Sequence, residues 1–229
     1  MLEIERVYGL SLSISLSILV LLIVFCVSVT STLANRRERD KMPLVGLSVG
    51  HSAHRDNPET QQYEYSRCKA SIELAGELLS RSGVDVYLIE PGTYDLSNDD
   101  ALISKVAQIN TAECDCAIEL HLNAGGGNYS RAYYWGSGSS SSVEGLLLAR
   151  RIHLNKMVVN PSRSMPPQKQ SDIPRSLYFL NNTHMPSVIY EPAFMDHSEH
   201  RDYIESNRFT PDTAITIYRA VREYLEERA

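Results

Sequence analysis

Residues 44–49 read LVGLSV, residues 84–89 read VDVYLI, and residues 64–82 between them read EYSRCKASIELAGELLSRS. The outer runs are short and apolar, as buried strands are. The middle run places Ile72, Ala75, Leu78 and Leu79 on one face at helical spacing, and Gly83 stands just past its end as a helix stop. Strand, helix, strand is the unit from which parallel sheets are built. The same alternation continues outward. Residues 99–110 have helical spacing, and CAIELHL at 116–122 reads as a third strand. Residues 131–135 form a fourth, and 143–156 a helix with Leu146, Leu147, Ala149, Ile152 and Leu154 as its apolar positions. Short strands follow at 177–180 and 187–190. Thr210 is a suitable N-cap with Pro211 at the first helical position, opening a last helix that runs to about Glu227. The GSGSSSS run at 136–142 reads as a flexible loop. The expected architecture is α/β: a single domain with a mainly parallel twisted sheet flanked by helices. In such sheets, sites form at the C-terminal ends of the strands.

The chain has 229 residues, 43% hydrophobic and 22% charged, with a formal net charge of -6. That is room for one ordinary domain and an appendage. The acidic balance argues against nucleic acid as a partner, because such affinity rests on Lys and Arg neutralising phosphates. Cys26, Cys68, Cys114 and Cys116 make neither a disulfide framework nor a CxxC zinc pair. They read as small buried hydrophobes, with Cys114 and Cys116 pointing the same way if both lie on a strand.

Residues 10–34, LSLSISLSILVLLIVFCVSVTSTLA, carry no charge, Pro or Gly. About 20 apolar residues suffice to cross a bilayer as a helix. The segment is therefore expected to be a transmembrane helix, after a tail at 1–9 and before a charged linker at 35–42, with the soluble domain at 43–229. Cleavage after Ala34 as a signal peptide is the alternative. The apolar stretch exceeds a signal h-region and the leading MLEIER is not basic, so a permanent anchor is favoured.

Polar residues stand at three strand ends. Gly50 and His51 follow the first strand; Glu119, His121 and Asn123 lie on and after the third; Glu191 follows the last. Glu64 opens the helix after the first strand. Two histidines and a carboxylate at one rim of a sheet match a catalytic zinc site, with three protein ligands and a fourth position for water. A further carboxylate, not itself a ligand, would serve that water as general base. Taken singly, His51 reads as a loop histidine and Glu64 as a carboxylate at a helix N-terminus. His121 sits in an apolar strand, and Glu191 after SVIY must be paired, exposed or functional.

Together these elements resemble the type 3 N-acetylmuramoyl-L-alanine amidases, a family of zinc-dependent cell-wall hydrolases. The resemblance runs from about Pro43 to the C-terminus. Its parts are Gly50-His51 after a strand, and Glu64 leading a long helix that closes on Gly83. His121-Leu122-Asn123-Ala124 then continues into Gly125, Gly126 and Gly127. Last comes Met185-Pro186, a short strand, Glu191 and Phe194. The resemblance implies that His51, Glu64 and His121 bind zinc and that Glu191 is the catalytic carboxylate. The chain departs from the family pattern at several places. Ser48 replaces an Asp, Ser52-Ala53 follow His51, Glu119 stands where a Ser is common, Asn181 and Asn182 stand where a cation is usual, Ala193 replaces Gly, and His197 replaces Asn. None removes a ligand. On a strand Glu119 points the same way as His121, either as a partner for that ligand or paired with a cation elsewhere. His54, His153, His184, His197 and His200 read as surface or loop residues.

The implied activity is zinc-dependent hydrolysis of the amide between N-acetylmuramic acid and L-alanine in peptidoglycan, with Glu191 as general base and then acid. Tyr133, Tyr134 and Trp135 are assigned to strand packing in preference to a substrate groove. One rival is another zinc amidohydrolase or peptidase with the same ligands. The other is a wall-binding or membrane-assembly module with a non-catalytic relict of the site. The expected location is the membrane, single-pass, with the catalytic domain outside the cytoplasm. Arg36, Arg37, Arg39 and Lys41 after the apolar segment, against Arg6 before it, favour the opposite orientation.

Overall fold

The strand–helix–strand unit forms as β1 (Leu44–Val49), α1 (Glu59–Arg81) and β2 (Asp85–Ile89), with the two strands parallel. It belongs to a computed structural model that describes residues 42–51, 59–89, 98–160, 163–174 and 176–228. The tail at 1–9, the apolar segment at 10–34, the linker as far as Lys41, Cys26 and His54 lie outside the described residues. Among the described residues no helix is long and apolar enough to cross a membrane.

α1 buries Glu64, Cys68, Ser71, Ile72, Ala75, Gly76 and Leu79, one stripe at intervals of three and four. It stops in a Schellman arrangement: Gly83 has φ 81°, and the Gly83 and Val84 amides donate back to the Ser80 and Leu79 carbonyls. The helix begins at Glu59, so Glu64 does not open it as the sequence suggests. It sits more than a turn inside, on the buried stripe.

The remaining elements are α2 (Asn98–Ala112), β3 (Cys116–Leu120), β4 (Arg131–Tyr134), β5 (Gly136–Ser137), β6 (Ser140–Ser141), α3 (Val143–Val159), β7 (Gln168–Lys169), α4 (Tyr178–Asn182), β8 (Ser187–Glu191), α5 (Ser198–Glu205) and α6 (Phe209–Arg228). The six-stranded sheet runs β2-β1-β3-β8-β4-β7. Its first four strands are parallel, and β4 pairs antiparallel with β8. Strand pleating divides the core. Val45, Leu47, Val49, Cys116, Ile118, Leu120, Val188 and Tyr190 face α1, α3 and α6. Ala117, Ile189 and Tyr133 face the opposite cluster, built with Val106 and Ile109 of α2 and with Phe179 and Leu180 of α4.

Three local expectations change. Residues 177–180 do not form a strand, because Phe179 and Leu180 are adjacent and both buried in one cluster. A strand would send them to opposite faces, whereas a helical turn keeps both inside. The 136–142 run is a β5–β6 hairpin turning at Gly138 (φ 55°), and Ser142 caps α3 by accepting from the Gly145 amide at 2.9 Å. Cys114 precedes β3, so it and Cys116 enter opposite clusters; both are free and buried, as is Cys68.

Candidate metal centre

The ladder continues past the ends of the strands and so brings the polar residues together. The Gly50 amide donates to Leu120 O, the His121 amide to Tyr190 O and the Asn123 amide to Ala193 O, at 2.8–2.9 Å. His51, His121 and Glu191 therefore lie side by side at the C-terminal edge of three neighbouring parallel strands. Glu64 reaches them from α1. It is 2% exposed, and its Oε1 accepts from the Leu122 amide at 2.8 Å, which fixes the carboxylate against the end of β3.

Glu64 Oε2 lies 3.4 Å from His51 Nε2, and Glu64 Oε1 lies 3.0 Å from His121 Nδ1. The two imidazoles meet edge to face with centroids 5.3 Å apart. One ligand atom from each of His51, Glu64 and His121 lies within 4.8 Å of the other two. Nitrogen and oxygen ligands about 2.0–2.1 Å from a tetrahedral zinc ion stand roughly 3.3 Å apart. The two His–Glu separations lie near that spacing, and the donor set suits that ion. Gly50 makes the arrangement possible: a Cβ there would lie 2.0 Å from His121 Cε1.

The charge balance points the same way. Burial pulls the His51 pKa below its usual value, against the attraction of Glu64. Burial also acts to lower that of His121, but the hydrogen bonds to Glu119 and Glu64 outweigh it and push it up to about 10. Two carboxylates around one imidazole call for a cation, either a proton or a metal. Burial raises the Glu119 carboxyl, and Lys105 and His121 together hold it below its usual value.

Glu191 is 4% exposed and accepts a short hydrogen bond from Asn123 Nδ2. Asn123 is itself tied by its Oδ1, which accepts from the Ala124 amide at 2.8 Å. The glycine run beyond it is anchored by Asp196, whose Oδ2 accepts from the Gly125 and Gly126 amides at 2.7 and 2.8 Å. Across the antiparallel pair Arg131 stands opposite Glu191, its guanidinium 4.7 Å from the Tyr129 ring centroid. Tyr133 and Tyr134 are buried strand residues, as their β-propensity indicates.

All four residues singled out in the sequence thus meet at one rim. Three partners escaped sequence reasoning. Asn123 has a polar amide that by itself signals no role, Asp196 sits on an exposed turn, and Lys105 pairs with Glu119 from another element. Lys105 had a legible signal, since it lies on the apolar stripe of α2 with Ala101, Val106 and Ile109. Two of the other described histidines have partners elsewhere: His200 Nδ1 accepts from the Phe194 amide at 3.0 Å, and His153 pairs with Ser164 at 2.9 Å.

Comparison with known proteins matches residues 45–223 to the family described as N-acetylmuramoyl-L-alanine amidase. No curated protein matches the chain. Among solved structures, the apo form of the amidase Ami1 from Mycobacterium abscessus is 16% identical with a TM-score of 0.67, covering 80% of this chain and 98% of that one. The CwlD amidase from Clostridioides difficile, solved in complex with the GerS lipoprotein, is 20% identical with a TM-score of 0.66, covering 81% and 99%. The catalytic domain of the CD27L endolysin, which targets Clostridia difficile, is 24% identical with a TM-score of 0.63, covering 79% and 97%. The shared fold extends over nearly the whole of each relative.

Proposed function

From the premise that this chain belongs to the N-acetylmuramoyl-L-alanine amidase family and is an enzyme of that class, we propose that it is a zinc hydrolase of peptidoglycan. It cleaves the amide between the lactyl group of N-acetylmuramic acid and L-alanine. His51, Glu64 and His121 hold the ion, and Glu191 carries the proton. The observation behind this reading is the convergence of three ligand atoms within 4.8 Å of one another, one strand from Glu191.

Zinc bound there supplies Lewis acidity toward a water and toward the amide carbonyl. The rest is the work of the chain's own residues. Glu191 is an acceptor at the rim, held in one orientation by Asn123. It takes the proton of the attacking water as the C–O bond forms, then delivers that proton to the alanine nitrogen as the C–N bond breaks. The products are a glycan with a free lactyl carboxylate and a stem peptide with a free amine. Glu64 is fixed by the Leu122 amide and presents one oxygen to each histidine, so the ligands are placed before the ion arrives.

The apolar segment at 10–34 is read as the attachment to the membrane and residues 43–229 as the catalytic domain. An extracytoplasmic position follows from the substrate, which lies outside that membrane. Length and absence of charge support the attachment.

The test is digestion of purified peptidoglycan by the full chain, with zinc, with a chelator and as Glu191→Gln. New L-alanine N-termini should appear with zinc and vanish with the chelator. Glu191→Gln should slow their release about 10²- to 10⁴-fold, the usual weight of a general acid–base. Cleavage within the stem peptide would indicate a peptidase. Zinc binding with no cleavage of several wall types would indicate a binding module.

A further inference from the structure

Beneath the ligand set lies a buried ion pair with no part in the chemistry above. Lys105 of α2 is 0% exposed and Glu119 of β3 is 1% exposed. Lys105 Nζ has three protons and three acceptors around it: Val49 O at 2.6 Å, Glu119 Oε1 at 2.8 Å, and Gly50 O. The other oxygen of Glu119, Oε2, lies 3.2 Å from His121 Nε2. The contacts therefore run unbroken from the backbone just before His51, through Lys105 and Glu119, to the ring of His121.

We propose that Lys105 and Glu119 are positioning residues for the metal ligands, setting the His121 tautomer and tying the ends of β1 and β3 together. The inference rests on the zinc reading above. A carboxylate engaged with an ammonium can only accept, so His121 Nε2 must donate to it. The neutral ring then carries its lone pair on Nδ1, the nitrogen that faces Glu64 Oε1 at 3.0 Å. With Nε2 committed, Nδ1 and Oε1 are two acceptors facing each other, an arrangement that a cation between them satisfies. At the other end Lys105 grips the carbonyls of Val49 and Gly50, the two residues before His51. Both histidines are thereby indexed to one ammonium.

Stability alone does not account for the pair, because a buried ion pair is often matched or bettered by apolar residues of similar volume. Nor does an amide replace Glu119. Glutamine has one acceptor, and here two donors, Lys105 and His121, each require one. The carboxylate is needed because it accepts on both sides.

The test measures zinc affinity of the purified full chain by competition with a chromophoric chelator, beside thermal melting and the ¹⁵N shifts of the His121 ring. The variants are E119Q and the double variant K105M/E119L, which removes both charges and leaves none unpaired. Outer partners of metal-bound histidines typically contribute 10- to 100-fold in affinity. Both variants should fold, bind zinc about 10- to 100-fold more weakly, and, with zinc bound, lose the ¹⁵N shift that the hydrogen bond to Glu119 gives the His121 Nε2–H. K105M/E119L should melt close to wild type while its zinc affinity stays low. Wild-type affinity and an unchanged ring signature in the double variant would overturn the inference, as would affinity that falls only in step with melting temperature. A wild-type chain that binds no zinc would overturn the metal reading itself, and the inference with it.

Discussion

Gly50 shows how narrowly one residue can govern this site. Its missing side chain is the space filled by the His121 ring, with three ring atoms within 2.4 Å of where a Cβ would stand. That ring is gripped by Glu64 and Glu119 on opposite sides and has nowhere to go. Gly50→Ala should therefore leave a folded protein, weakened by about 1–3 kcal/mol of overpacking. Its peptidoglycan cleavage should fall about 10²-fold, the effect of roughly an ångström of misplacement. Chemical denaturation and the amide assay check the two numbers. His121 and Glu191 were legible from the sequence because each closes an apolar run in which a polar group needs a reason, and His51 was legible only as one of the set. Glu64 stood among the candidate carboxylates, and only the resemblance assigned it as a ligand. By itself it looked like a carboxylate beside a helix N-terminus, and its place on a stripe with Cys68, Ile72 and Ala75 appears once the helix starts at Glu59. Glu119 was seen to point with His121, and its two alternatives prove to be one arrangement, since it contacts His121 and a cation together.

Among the elements, α3 carries a comparable cost. Lys156 is 2% exposed, lies 5.6 Å from the Tyr203 ring centroid, and donates to Asn160 O at 3.1 Å. Burial lowers its pKa to about 8, against the attraction of Asp212. The folded chain thus releases this proton more readily than the unfolded chain, where the ordinary value is about 10.4. Between about pH 8 and pH 10.4 the unfolded state holds more protons, so this group's contribution to stability rises with pH across that window. Lys156→Met should remove the rise and add about 1–3 kcal/mol at pH 7. Urea unfolding at pH 7 and pH 9.5 reads both effects, and equal stability of the two proteins at pH 7 would contradict the account. Element types were read correctly where the period was long, as in α1 and α6. They failed for the short 177–180 run, where four residues cannot separate a strand from a helical turn. β7 has two residues, and its Gln168 and Lys169 offer no apolar pattern to read.

For the whole molecule, residues 43–229 form one compact unit by themselves. That stretch should fold and cleave peptidoglycan at a rate within a few-fold of the full chain, with zinc. The full chain alone should sediment with lipid vesicles, through residues 10–34. Vesicle binding by residues 43–229 would contradict the assignment of membrane attachment to that segment. The class of the fold was determined by the sequence, because strand and helix periods are local and their alternation leaves few topologies. So was the rim on which chemistry gathers, since the polar residues close apolar strands. Only the tertiary structure decided which atoms face one another. β4 runs antiparallel beside β8, which sets Arg131 opposite Glu191. Glu64 meets His121 across 57 residues, and Lys105 beneath them joins the ends of β1 and β3. Such contacts depend on register and on how a helix packs over a sheet. Those are set by summed burial over the whole core, and no local window of residues carries them.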